Sequence, residues 1–228
     1  MILNKYNSLL IDLDDTLMEY YSQEINAVLK VLENHSLPHT PDVADVFAEI
    51  EAWHTYELGK EITSFDVITN RFGVLLKMLE VKEPDLSNLK LEFFKLMQKS
   101  HKLKNGVLKT LKNLKTKGYK LYVAANGYTD FQLKRIKDAK IINYFDGIFI
   151  SEQIGCRKPS AAFFDFVMSH IPESNRSRVL IIGDAPSADI LGGINAKIDT
   201  CFIPSKIEKS KYKYTYKLEK FEDLINLL

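Results

Sequence analysis

The apolar run Leu9-Leu10-Ile11 leads directly into Asp12-Leu13-Asp14-Asp15-Thr16-Leu17, which puts two carboxylates spaced by two at the end of a short buried strand. Side chains alternate along a strand, so Asp12 and Asp14 start on the same side and Leu13 points the other way. Two acids there repel each other and lose hydration unless a cation, a donor or a proton separates them. The pattern suits a metal-assisted site in which one carboxylate attacks and the other handles a proton. It also fits an acidic turn in which Asp12 or Asp14 caps the chain that follows.

Three later segments end apolar runs in a similar way. Val123-Ala124-Ala125 runs into Asn126-Gly127, where glycine lets backbone amides approach an anion closely. Gly155-Cys156-Arg157 leads to Lys158, held before Pro159, which keeps the preceding backbone extended. Val179-Leu180-Ile181-Ile182 runs into Gly183-Asp184, with Asp189 five residues further on. Taken singly, Asn126-Gly127 is a turn, Lys158-Pro159 a loop, Asp184 a helix cap and Asp189 a solvated helix residue. Their weight lies in their order, because ligands of an open α/β sheet bind at the carboxyl ends of its strands.

The elements that must position these residues fall into two kinds. Ser22–Asn34, Pro41–Leu58, Thr63–Leu79 and Ser87–Ser100 repeat apolar residues at helical spacing, and Pro41 suits a first helical turn. Four such segments in succession predict a small helical bundle. From 108 onward strands and helices alternate, with strands at Tyr119–Ala125, Gly147–Ser151, Val179–Gly183 and Thr200–Ile203. Helices are predicted at Leu108–Lys117, Thr129–Lys140, Ser160–His170, Ser187–Ala196 and Glu219–Leu228. This alternation predicts an α/β fold with a parallel sheet covered on both faces. The first strand belongs to that sheet by type, so the expected architecture is a Rossmann-like parallel sheet core with an inserted four-helix cap. The core is expected at 1–17 and 101–228, and the cap at 18–100.

The chain has 228 residues, of which 46% are hydrophobic, enough for such a core. Lysine plus arginine (31) nearly balances aspartate plus glutamate (30), which argues against a nucleic-acid-coating or membrane-surface protein. Cys156 and Cys201 are the only cysteines, so neither a disulfide framework nor a zinc pattern is present, and the five histidines show no ligand spacing. The N-terminal residues lack a signal-peptide hydrophobic region and no apolar stretch reaches membrane-spanning length. A cytoplasmic location is therefore expected, with no obligate protein partner evident.

Taken together, the four segments resemble the haloacid-dehalogenase superfamily, in the subclass with a helical cap inserted after the first strand. Its Asp-x-Asp-x-Thr motif matches Asp12, Asp14 and Thr16; its third-motif lysine matches Lys158; its Gly-Asp-x4-Asp motif matches Gly183, Asp184 and Asp189. The resemblance implies a phosphatase in which Asp12 is the nucleophile and forms an aspartyl-phosphate, and Asp14 is the general acid and base. It implies Mg2+ held by Asp12, the backbone carbonyl of Asp14, and Asp184, with Asp189 in support. Such an oxygen-only ligand set suits that ion. Lys158 would neutralise Asp12 and phosphate oxygens, and Asn126 and Gly127 would offer amides to the phosphate. An aspartate at position 14 favours phosphate-ester chemistry over dehalogenation.

Two positions depart from the family pattern. Relatives end the second motif's strand with Thr or Ser, and Ala125 stands there; losing one preorganised donor typically costs on the order of 10²–10³ in rate. Lys197 stands where relatives place glycine, and it would cost roughly 1 kcal/mol of backbone strain if left-handed.

Asp14-Asp15-Thr16-Leu17, Trp53 through Gly59, Arg71-Phe72, Asn126-Gly127-Tyr128-Thr129 and Gly192-Gly193-Ile194-Asn195-Ala196 resemble the bacterial pyrimidine 5′-nucleotidase branch. The implied partner is a small-molecule phosphomonoester, with a nucleoside 5′-monophosphate as the leading substrate class. Tyr20 and Tyr21 would stack on a base, and Lys60 and Arg71 would reach substrate from the cap. A sugar or other small-metabolite phosphatase remains open, as does a weakly catalytic binding protein lacking the second-motif hydroxyl.

Overall fold

The computed structural model describes residues 5–47, 50, 64–82, 85–205 and 210–228. It divides into two compact units, Met1–Glu19 with His101–Leu228, and Tyr20–Ser100.

The first unit is built on a six-stranded sheet. Its strands are β1 (Ser8–Ile11), β2 (Lys120–Ala125), β3 (Gly147–Ile150), β4 (Val179–Gly183), β5 (Asp199–Phe202) and β6 (Tyr216–Lys217). The spatial order is β3-β2-β1-β4-β5-β6, and each neighbouring pair is parallel. Parallel strands are covered on both faces, which is why Leu9–Ile11 of β1 and Val179–Ile182 of β4 read as apolar runs. Leu9, Ile11, Leu180 and Ile182 face a core layer completed by Leu111, Leu114, Ile136 and Leu224. The opposite layer joins Leu10, Tyr122 and Ile181 to Phe163, Phe164 and Val167. Those helical residues come from α5 (Val107–Thr116), α6 (Thr129–Asp138), α8 (Ala161–His170) and α10 (Leu224–Leu227).

Between β1 and the second unit the chain turns sharply. Leu17 and Met18 both donate to Leu13 O, and Asp15 adopts a left-handed φ of 52°. The outgoing and returning chains then lie side by side in the first unit. Met18 bridges Leu103, and Glu19 N donates to Lys102 O at 2.9 Å.

The second unit contains α1 (Tyr20–Asn34), α2 (41–47), α3 (Ser64–Met78) and α4 (Leu86–Met97). Phe47, Phe72 and Phe93 meet in its core, with ring centroids 4.8–5.9 Å apart. The distal part of the helix expected at Pro41–Leu58 lies outside the described residues.

Several elements differ from the sequence expectation. The helix expected at Ser187–Ala196 is a π-helical turn, Pro186–Ile190, continued by the short helix α9 (Leu191–Asn195). The closing helix is shorter than Glu219–Leu228, because a 3-10 turn occupies Phe221–Asp223. The edge strand β6 and the single-turn α7 (Ser151–Ile154) are too short to give a periodic signal. Lys197 is left-handed, with φ 56°.

Candidate active site

The register brings Asp12 and Asp184 to the carboxyl ends of neighbouring central strands. Ile11 lies opposite Ile182, and Asp12 N extends the ladder by donating to Ile182 O at 2.9 Å. Beyond β4, the π-helical turn folds Asp189 back towards the strand end. Its Oδ2 accepts from Ala185 N at 3.1 Å, and its Oδ1 accepts from Lys158 Nζ at 2.6 Å. Gly183 makes this possible, because a Cβ there would stand 2.1 Å from Asp189 Oδ2. Lys158 Nζ also donates to Asp12 Oδ1 at 2.7 Å, and Thr16 Oγ1 to Asp184 Oδ1 at 3.3 Å.

Carboxylate oxygens of Asp12, Asp184 and Asp189 all lie within 4.8 Å of one another. Burial, incompletely offset by Lys158, pushes the Asp12 carboxyl up to about 7. Burial and then the charges of Asp12 and Asp189 raise Asp184 well above the ordinary carboxylate range. Burial works against the charge of Lys158, but Asp12 and Asp189 outweigh it and raise its ammonium. Lys158 thus pairs with two of the three buried acids, Lys104 acts on Asp184 only through its charge, and the cluster is short of positive charge. Hard oxygen donors in that state fit a divalent cation such as magnesium.

Asp14 does not join this group. Its Oδ1 accepts from Arg135 Nη1 at 2.6 Å and its Oδ2 from Gln132 Nε2 at 2.9 Å. The simple alternation that put both acids on one side is overridden by the turn at 13–18, which begins one residue after Asp12.

The side chain of Asn126 is engaged with the lysine loop. Oδ1 accepts from Lys158 N at 2.9 Å and Nδ2 donates to Lys158 O at 3.1 Å, fixing the backbone that carries the lysine. Gly127 requires correction as an amide donor to phosphate, since its N–H is spent on Ser151 Oγ at 3.0 Å. Ala125 is fully buried at the end of β2.

The cap residues are also placed. Tyr20 and Tyr21 open α1, half-buried, and Tyr21 donates to Asp45 Oδ1 at 3.2 Å. Lys60 lies outside the described residues. The expectation that Arg71 reaches substrate is corrected. Its guanidinium is 0% exposed, bonds both oxygens of Glu24 at 2.9 and 3.1 Å, donates to Phe47 O, and lies 3.9 Å from the Phe47 ring centroid.

Sequence reasoning missed Gln132 and Arg135. A signal was present: on α6 they stand three residues apart on the face that carries Ile136, where a helix packed on a sheet should be apolar.

The sequence profile of the haloacid dehalogenase-like hydrolases matches residues 9–203. HAD-hydrolase YfnB of Bacillus subtilis is 32% identical, with 99% of this chain and 97% of that protein covered. Pyrimidine 5′-nucleotidase PynA of Streptococcus pneumoniae is 32% identical over 98% and 95%. Pyrimidine 5′-nucleotidase YjjG of Escherichia coli is 29% identical over 87% and 86%. The crystal structure of YfnB bound to magnesium superposes with a TM-score of 0.89 over 99% of each chain. L-2-haloacid dehalogenase from Xanthobacter autotrophicus, 15% identical with a TM-score of 0.78 over 97% and 98%, shares the fold. With its catalytic-type acids gathered at the sheet's carboxyl edge and its whole length matched by such relatives, the chain belongs to the haloacid dehalogenase-like hydrolases.

Proposed function

We propose that this hydrolase is a magnesium-dependent phosphatase that cleaves a small phosphomonoester through a phosphorylated Asp12. The observation that carries the reading is the charge-deficient cluster of Asp12, Asp184 and Asp189 around Lys158. A dianionic phosphate needs compensating positive charge and an aligned nucleophile more than it needs elaborate covalent machinery.

Asp12 and Asp184, with the backbone carbonyl of Asp14, would hold Mg2+. Bound there, the ion supplies charge neutralisation for the carboxylates and the phosphate. Lys158, anchored by Asp189, orients Asp12 and contributes part of the positive charge that its ionised form needs. In the first half-reaction an Asp12 oxygen bonds to phosphorus as the ester P–O bond breaks, and the leaving oxygen takes a proton from Asp14. In the second, a water oxygen bonds to phosphorus, its proton passes to Asp14, and the Asp12–phosphorus bond breaks to release phosphate. The backbone N–H of Asn126 would meet the transferring group.

A nucleoside 5′-monophosphate is the substrate class we favour, supported by the likeness to two pyrimidine 5′-nucleotidases along nearly the whole chain. The buried Ala125, with no hydroxyl to offer, supports a second reading, a phospho-ligand binder with little turnover. Phosphate release from a panel of nucleoside and sugar monophosphates separates them. Turnover that is greatest with a pyrimidine nucleoside monophosphate, requires magnesium and vanishes in Asp12→Asn is the expected result. Binding of phosphate analogues with no turnover across the panel favours the second reading, and turnover that persists in Asp12→Asn contradicts the mechanism.

A further inference from the structure

We infer that Gln132 and Arg135 are positioning residues for Asp14, and that Asp14 Oδ2 passes from Gln132 to the leaving oxygen when the ester is cleaved. The inference rests on the phosphatase reading and names residues that set its proton transfer.

The geometry is a two-point grip. Arg135 Nη1 holds Oδ1 at 2.6 Å and Gln132 Nε2 holds Oδ2 at 2.9 Å, which fixes the carboxylate's rotation as well as its place. The gripping groups are interior and the gripped one is not. Gln132 and Arg135 are 2% and 0% exposed, whereas the Asp14 side chain is 28% exposed. An incoming ligand therefore meets Asp14 and not its holders.

The grip is braced on each side. Arg135 Nη1 donates also to Gln132 Oε1 at 2.8 Å, and its guanidinium lies 5.0 Å from the Phe131 ring centroid. Gln132 Nε2 donates also to Asn126 O at 3.1 Å, and the Asn126 side chain clasps the Lys158 backbone. One polar chain thus runs from Asp14 through Gln132, Asn126 and Lys158 to Asp12. Gly127, with φ 128°, leaves room for it, since a Cβ there would stand 3.1 Å from Gln132 Nε2.

The two bonds are unequal. Both gain from the charge on Asp14, but only the bond from Arg135 also pairs two opposite charges. Oδ2 is consequently the end that lets go, while Arg135 keeps Oδ1 anchored. Entering the step as the carboxylic acid, Asp14 anchored through Oδ1 gives the proton on Oδ2 to the leaving oxygen, the P–O bond breaking as the Asp12–phosphorus bond forms, and is left as the carboxylate that Arg135 and Gln132 hold.

Single-turnover release of the leaving group tests this with two substrates. A nucleoside 5′-monophosphate needs a proton on its leaving oxygen, whereas p-nitrophenyl phosphate loses a stable anion. Arg135→Gln is expected to slow release from the nucleotide by about 100-fold and from the aryl ester by less than about 3-fold, the split that a lost general acid produces. Gln132→Leu should show a smaller loss with the same preference, and Arg135→Lys should recover part of the nucleotide rate. Equal losses on both substrates, or none, overturn the inference.

Crystal structures of Arg135→Gln and Arg135→Lys give a reading free of turnover. The Asp14 carboxylate should leave its present orientation in the first and keep it in the second. An unmoved Asp14 in Arg135→Gln refutes the grip. If the wild-type protein releases neither leaving group, the phosphatase reading fails, and these structures still decide whether Arg135 holds Asp14.

Discussion

Two buried clusters of charge, one in each unit, differ in a way that separates support from chemistry. In the helical unit Glu24 and Arg71 pair through two bonds, and the guanidinium also donates to Phe47 O and lies over the Phe47 ring. In the sheet unit Lys158 pairs with Asp12 and Asp189, Asp184 lies beside those acids, and the surplus of carboxylate appears as raised acids at Asp12 and Asp184. Burial of an ion pair alone says little about function. An imbalance at the carboxyl edge of a sheet marks a candidate site for a cation.

Removing the cation from each cluster should expose that contrast most strongly. Lys158→Met is expected to lower turnover by on the order of 10²–10³, since it removes a preorganised charge from the site. Joining it to Asp12→Asn should restore no activity. Arg71→Met should instead lower unfolding stability by roughly 3–5 kcal/mol, as for a buried pair that loses one partner. The double variant Glu24→Leu with Arg71→Met should regain most of that, because an apolar replacement of both partners is often neutral. Denaturant unfolding beside steady-state kinetics reads both halves. Failure of the double variant to regain stability would break the description of Glu24–Arg71 as a structural ion pair.

The next effect in size concerns Ala125. Supplying a hydroxyl with Ala125→Thr should raise turnover by on the order of 10-fold or more if the missing donor limits the rate. An unchanged or lower rate would count against that account of the position.

A smaller effect follows from the raised acids. Between the ordinary aspartate value of 3.8 and about 7, Asp12 is protonated in the folded chain and ionised in the unfolded one. The folded state then binds more protons, so stability falls as pH rises through that window. Asp184 adds in the same direction, and the raised Lys158 keeps its charge throughout. In EDTA the melting temperature should fall between pH 5 and 7.5, with stability dropping by on the order of 1 kcal/mol per pH unit. Saturating magnesium should flatten the slope, and a flat profile in EDTA would argue that the cluster is not charge-deficient.

Much of this arrangement was legible in the sequence. The apolar runs ending in Asp12 and Asp184 are visible because central parallel strands are buried on both faces and tolerate polar residues only at their ends. Tertiary partners were not legible. Arg71 looks like any exposed cation until Glu24, 47 residues away in sequence, is seen to face it. Gly127 looks like an amide donor until Ser151 from the next strand's end claims the N–H. Asp14 looks paired with Asp12 until Asp15 takes a left-handed conformation within a turn that hands its carboxylate to α6. In each case a local period or motif was right about type, and a side chain distant in sequence decided the use.

The central claim is that the Asp12–Asp184–Asp189 cluster exists to take a divalent cation. Calorimetric titration of magnesium into the protein near neutral pH, repeated in buffers of different ionisation enthalpy, tests it directly. The account predicts one site per chain, proton release on binding as the raised acids ionise, and loss of the site in Asp184→Asn. Absence of binding in the wild-type protein, or equal binding in Asp184→Asn, would contradict it.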